Sequence, residues 1–160
     1  MCLLVEQASH PTDEVRVLIG ELEAILSAEY PPEQRHGLSL DQIFQPNIRF
    51  FIARRNGCPL GCGGIALFPD FAELKRMYVR QPARGQGVAG AILARLEQEA
   101  SEAGIGMVRL ETGTNQLAAI RFYERSGFRR CSPFGAYARM PPHAIATSVF
   151  FEKSLTFARR

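Results

Sequence analysis

Between a β-rich run that ends at Val79 and an amphipathic run that ends near Ala103, the sequence sets three glycines within six residues: Gly85, Gly87 and Gly90 of "RGQGVAG". A glycine turn joining a strand to a helix lets backbone N–H groups approach a ligand closely, and the following helix points the positive end of its dipole at the same place. The ligand that suits such a turn is a phosphate. Arg84 adds a formal charge, which makes pyrophosphate the natural candidate. The competing reading is a tight turn whose glycines are required by packing. The letters "GQGVAG" also match the dinucleotide-binding fingerprint, but they follow a meander of antiparallel strands in mid-chain, where such a unit would not begin. No Lys-Ser or Lys-Thr follows the glycines, which excludes a Walker A loop.

The rest of the chain reads as elements of a mixed α/β domain. "CLLVEQA" is a short strand, and Pro11, Thr12 and Asp13 carry helix-start chemistry. Val15, Leu18, Ile19, Leu22, Ile25 and Leu26 recur at helical spacing, predicting a helix from about Thr12 to Glu29 that Pro31 and Pro32 end. A short helix over "SLDQIF", capped by Ser39, is closed by Pro46. "NIRFFIAR" and "LGCGGIALF" flank an Asn-Gly and predict a hairpin, with "FAELKRMYV" as a third strand. The glycine segment then opens a helix from about Gly85 to Ala103. After it come a strand "GMVRLETG", a helix from about Asn115 to Ser126, and closing strands "GFRRC" and "TSVFFEKSL". The loop between those two strands carries three prolines. This order implies an α/β sheet of mixed direction.

Composition narrows the function classes. At 160 residues and 46% hydrophobic, the chain fits one domain over 1–160 with a sizeable core. The formal net charge is +3 and the basic residues are dispersed, so no nucleic-acid partner is expected, although an anionic small ligand needs only a local basic spot. No apolar run approaches the ~20 residues that span a bilayer, and no signal-peptide layout opens the chain. A cytoplasmic protein without a membrane partner is the expectation. Cys2, Cys58, Cys62 and Cys131 make no disulfide framework, and His10, His36 and His143 lack ligand spacing, so reduced cysteines and no metal are expected.

With "ELKRMYV" before it, the glycine segment resembles the pyrophosphate loop of the GNAT superfamily of acetyl-coenzyme-A-dependent N-acetyltransferases. The family's pattern is Gln or Arg, two residues, Gly, one residue, Gly or Ala, and Arg84, Gly87 and Ala89 match it. About 25 residues on, "TNQLAAIRFYERSGF" is similar to the family's second signature: an Asn at a strand end, a helix bearing a Tyr, and a closing Gly-Phe. The resemblance is carried by Glu73 to Phe128, and elsewhere by element order. It implies a GNAT-like domain with a mixed, mostly antiparallel central sheet flanked by helices, and acetyl-CoA as cosubstrate.

The resemblance also implies roles. The strand before the loop would splay from its neighbour and bind the pantetheine arm through Met77 and Val79, with the Met77 N–H facing the thioester carbonyl. Main-chain N–H groups of Arg84, Gly85, Gln86, Gly87, Val88 and Ala89 would hold the pyrophosphate. Asn115 would contact the pantetheine arm or help fix the splay; the plainer alternative is a helix N-cap. Tyr123 would protonate the departing thiolate, or else pack beside Phe122 as an ordinary aromatic. Glu73 takes the position of a general base, alternating with Met77 and Val79 on one strand face. Its alternative is a carboxylate paired with Lys75 or Arg76, and Glu111 is the second candidate base.

The acceptor leaves less trace in the letters. Pockets of this fold form between the early helical region and the late loop, which makes Tyr30, Arg35, His36, Phe134, Tyr137 and Arg139 candidate liners. Arg35 and Arg139 hint at a carboxylate or phosphate on the acceptor. The reaction implied is direct transfer of acetyl to the primary amine of a small molecule in a ternary complex. Protein or peptide amines are the alternative acceptors, and a non-catalytic acetyl-CoA sensor is the alternative outside enzymes. The family also suggests a homodimer through the sheet edge.

Overall fold

The protein is described by a computed structural model over residues 2–155. Seven strands, β1 (Leu3–Ala8), β2 (Ile48–Arg55), β3 (Cys58–Leu67), β4 (Ala72–Val79), β5 (Met107–Gly113), β6 (Arg129–Arg130) and β7 (Ser148–Ser154), form one sheet in the order β1-β2-β3-β4-β5-β7-β6. Three helices, α1 (Asp13–Glu29), α2 (Val88–Glu102) and α3 (Leu117–Arg125), flank it. Only β4 and β5 run parallel; every other pair is antiparallel. The expected α/β architecture and element order are therefore present.

Local chemistry explains the elements. Thr12 Oγ1 accepts the Val15 N–H at 3.3 Å and caps α1. Asn56 and Gly57 both hold positive φ, 54° and 75°, as a two-residue hairpin turn requires. Residues along β2 alternate between two cores: Phe50 and Ile52 pack with Val15, Leu18 and Ile19 of α1, whereas Phe51 and Ala53 pack with Ile92 and Leu96 of α2. Beneath the late loop, Phe134, Tyr137 and Phe150 form a third, aromatic cluster.

Three expectations change. The helix over "SLDQIF" is a single 3-10 turn, Gln42–Phe44, although Ser39 does serve it: Ser39 Oγ accepts the Gln42 N–H and Gln42 Oε1 accepts the Ser39 N–H. "GFRRC" contributes only two strand residues, because β7 takes the place beside β5 and β6 pairs at its outer edge. The third concerns β4. Opposite β3 its register jumps, Cys62 facing Tyr78 and Gly64 facing Lys75, and Arg76 sits at φ 56°. This bulge reverses the alternation. Leu74 before it and Met77 and Val79 after it all pack toward the α2 core, while Tyr78 joins the α1 side. Glu73 therefore does not share a face with Met77 and Val79.

The feature that positions the site is a parting of strands. β4 and β5 pair only at Ala72 with Val108 and Glu73 with Arg109. Beyond Glu73 they diverge, leaving an opening between the second half of β4 and the end of β5.

Candidate active site

A cavity of about 1000 Å³ occupies this opening. One end is walled by Met77, Val79, Arg84, Gly85, Gly87, Val88, Ala89 and Asn115, the other by the segment around Gln34–Gly37 and by Tyr137, with Glu111 and Tyr123 also in the wall.

At the loop end the main chain dominates. Gly85 and Gly87 hold φ of 78° and 80°, in the left-handed region that other residues rarely adopt, and Gly87 occupies the N-cap position of α2. A Cβ built at Gly85, Gly87 or Gly90 meets nothing within 4 Å, so no neighbour demands a small residue there, and the packing reading of these glycines is overturned. The backbone N–H groups of Gly85 through Gly90 donate to no acceptor among the described residues, and the first N–H engaged is that of Ala91, to Gly87 O at 3.1 Å. Consecutive free donors at a helix N-terminus have the chemistry to receive an anion. The Gln86 side chain lies outside the cavity wall, accepting from Arg55 at 2.7 Å and donating to Pro82 O at 3.2 Å. Arg84 Nε donates to Val79 O at 3.2 Å, drawing its guanidinium back toward β4.

Helix α3 begins at Leu117 rather than Asn115. Its N-cap position is Gln116, so the N-cap reading of Asn115 does not hold. The reason is Tyr30: its hydroxyl accepts the Asn115 N–H at 2.9 Å and donates to Gln116 Oε1 at 2.6 Å, fixing both residues before the helix starts. Tyr30 presses so closely on Gly113 that any Cβ there would collide with its ring.

Side chains build the other end. Glu73, 5% exposed, accepts from the Tyr137 hydroxyl at 2.7 Å and pairs with Lys75 at 2.8 Å, while Lys75 Nζ also donates to the Tyr137 oxygen at 3.0 Å. The Lys75 pairing weighed in the sequence is therefore present, together with a partner 64 residues away that no spacing indicated. Burial pushes the Tyr137 hydroxyl up, and the Glu73 carboxylate adds to the shift. Glu111 accepts from Ser148 Oγ at 2.7 Å; burial nevertheless raises its carboxyl above the ordinary range. Tyr123 is 6% exposed among Phe122, Phe128 and Phe151, and its hydroxyl makes no hydrogen bond among the described residues. Burial raises its pKa, so the phenol stays protonated.

The late loop is laced to the early one. Gln34 Nε2 donates to His143 O at 3.1 Å, Thr147 Oγ1 donates to Gln34 Oε1 at 3.2 Å, and His36 Nε2 bonds Ala144 O at 2.7 Å. Tyr30, Arg35, His36 and Tyr137 line the cavity as expected. Phe134 and Arg139 do not: Phe134 is buried edge-on against Tyr137, and Arg139 is exposed outside.

The model of the Acetyltransferase (GNAT) family matches residues 19–128. The chain belongs to the GNAT acetyltransferase family. An IAA acetyltransferase of Azospirillum brasilense is 41% identical over 145 residues, covering 89% of this chain and 92% of that one. An aminoalkylphosphonate N-acetyltransferase of Salmonella typhimurium is 32% identical, covering 81% and 86%. The PaiA N-acetyltransferase of Thermoplasma acidophilum, solved in complex with coenzyme A, shares the fold at a TM-score of 0.73 and 16% identity, covering 97% and 100%.

Arg76, which the sequence offered only as a partner for Glu73, takes a different place in this GNAT domain. At the β4 bulge its guanidinium pairs with Glu23 of α1 and donates to Leu38 O at 2.9 Å, and burial lowers its pKa to about 10. It thereby clamps the 35–38 segment over the cavity, and Gly37 is the residue it presses against. Among the described residues no group of three or more metal-ligating side chains is found, and no helix is long and apolar enough to cross a membrane.

Proposed function

We propose that this GNAT protein transfers an acetyl group from acetyl-CoA to the primary amine of a small molecule by direct attack in a ternary complex. One observation carries the reading: the parting of β4 from β5 opens into a cavity that is also lined by five residues with free backbone N–H groups, Gly85 and Gly87 to Gly90, by a buried tyrosine and by a buried carboxyl. The site fits the coenzyme. The N–H groups of Gly85–Gly90 suit the pyrophosphate, helped by Arg84, and the β4 edge at Met77 and Val79, paired with β3 but not with β5, suits the amide groups of the pantetheine arm. Asn115, at the end of β5, faces the same space.

For the chemistry, a primary amine arrives protonated and must lose a proton before it attacks. Glu73 is already committed to Tyr137 and Lys75, whereas Glu111 keeps spare acceptor capacity and a raised pKa, so we place proton acceptance on Glu111. Glu73 then serves to hold Lys75 and Tyr137. The amine nitrogen bonds to the thioester carbonyl carbon, the carbon–sulfur bond breaks, and the Tyr123 hydroxyl supplies the proton that the thiolate takes up. A small acceptor is favoured because the late loop is bonded to the Gln34–His36 segment at three points, closing the end where a peptide would need an open groove. The names of the Salmonella and Azospirillum relatives point the same way.

Acetyl-CoA should raise the melting temperature while NAD and ATP do not. At a hundredfold excess over Kd, linkage gives ~2.7 kcal/mol. A larger shift with NAD than with acetyl-CoA would overturn the proposal.

A further inference from the structure

The acceptor end of the cavity is electrically two-sided. On the α1 side a single carboxylate serves two guanidinium groups: Glu23 pairs with Arg76 through one oxygen, and its other oxygen lies 3.8 Å from Arg35. Arg35 Nε is buried and donates to no acceptor among the described residues. On the β4–β5 side the ratio is reversed, with Lys75 the cation set among two carboxylates, Glu73 and Glu111. One wall therefore presents Arg35, a guanidinium with no carboxylate closer than 3.8 Å, and the other an excess of carboxylate.

We propose that the acceptor is a zwitterion, a primary amine carrying a carboxylate or phosphonate on a short chain, with its ammonium directed to Glu111 and its anion received by Arg35. This rests on the acetyltransferase reading and names the substrate class for that site. Such a molecule complements both walls. No side-chain N–H of Arg35 donates a hydrogen bond among the described residues, and Glu23 at 3.8 Å lies beyond hydrogen-bond reach, so the terminal N–H groups can receive an anion that enters the cavity. The guanidinium fork matches a planar carboxylate or a phosphonate better than any neutral group. Arg76 cannot take this part, because Glu23 and Leu38 O already hold it. An amine with a neutral tail satisfies only the Glu111 side, and an anion without an amine only the Arg35 side.

The test is steady-state acetylation of matched amines of equal chain length ending in a carboxylate, a phosphonate or an uncharged amide, together with a titration of acetyl-CoA binding. For wild type the anionic tails should lower KM about 10- to 100-fold relative to the amide, the range for a hydrogen bond to a charged group. Which anion gains more identifies the tail. Arg35→Gln should raise KM for the anionic substrates by the same factor while leaving KM for the amide and acetyl-CoA affinity unchanged, and Arg35→Lys should fall between. Equal KM values across the three tails in wild type, or an Arg35→Gln effect equal on all three, overturns the zwitterion while leaving the acetyltransferase reading intact. A wild-type protein that neither binds acetyl-CoA nor acetylates any of them overturns both.

Discussion

The end of the cavity at residues 84–90 is made of main chain, whereas the end beneath residues 134–147 is made of side chains, and each should respond to mutation in its own way. At the loop end the working atoms are backbone N–H groups, and the side chains are small or turned aside. At the late-loop end they are carboxylates, an amine and phenols held by one another across the fold. A site made of backbone fails when a side chain is added. A site made of side chains fails when one is changed.

The largest effects are expected at Tyr123 and Glu111, the two groups proposed to handle protons. Tyr123→Phe keeps the ring among Phe122, Phe128 and Phe151 but removes the proton donor. Turnover should fall ~10²-fold or more, with acetyl-CoA affinity unchanged. Wild-type turnover in this variant would move the acid elsewhere.

Glu111→Gln should cost about as much near neutral pH. Because burial raises the Glu111 carboxyl, the protonated, inactive form persists above the ordinary carboxylate range. The rate should therefore be low below that raised pKa and climb as pH rises through it. The variant should lose this limb, and its deficit should shrink at higher pH as more amine is already neutral. A limb that survives in Glu111→Gln and vanishes in Glu73→Gln places the base on Glu73 instead.

At the loop end, Gly87→Val forces a β-branched residue to φ near 80° and sets methyls where the phosphate must approach. Strain at such positions is about 1–3 kcal/mol; a free loop that relaxes out of the φ 80° conformation must recover it to bind, so coenzyme affinity should drop about 10- to 100-fold. The fold should persist, since a Cβ at Gly87 meets no neighbour. Equilibrium titration with coenzyme A checks this, and unchanged affinity would show that the glycine is dispensable.

The same division decides what could be read from the letters. Backbone recognition strips a segment of side chains and leaves glycines at fixed spacing, so the loop was legible. Asn56-Gly57 revealed the hairpin for a similar reason. The bulge in β4 was not legible, because its left-handed residue is Arg76, which carries no mark of that conformation. It defeated the inference that Glu73 and Met77 share a face. Nor could spacing show Tyr137 against Glu73, 64 positions away, or Tyr30 against Gln116, 86 positions away. Those contacts exist only after the sheet has brought the early and late loops together.

A smaller effect tests the Tyr30 junction. Gly113→Ala drives a methyl into Tyr30, and overpacking of this kind costs about 1–3 kcal/mol, visible as a lower Tm. Thr12→Ala, which removes the α1 cap far from both ends, should cost ~1 kcal/mol of stability and leave KM for both substrates unchanged.

In the proposed reaction one cavity between β4 and β5 holds acetyl-CoA and an amine together, and the acetyl group passes directly between them. Two-substrate initial rates, followed by release of free thiol, test it most directly. Intersecting double-reciprocal lines, with thiol released only when both substrates are present, are the predicted result. Parallel lines accompanied by an isolable acetyl-enzyme would contradict it.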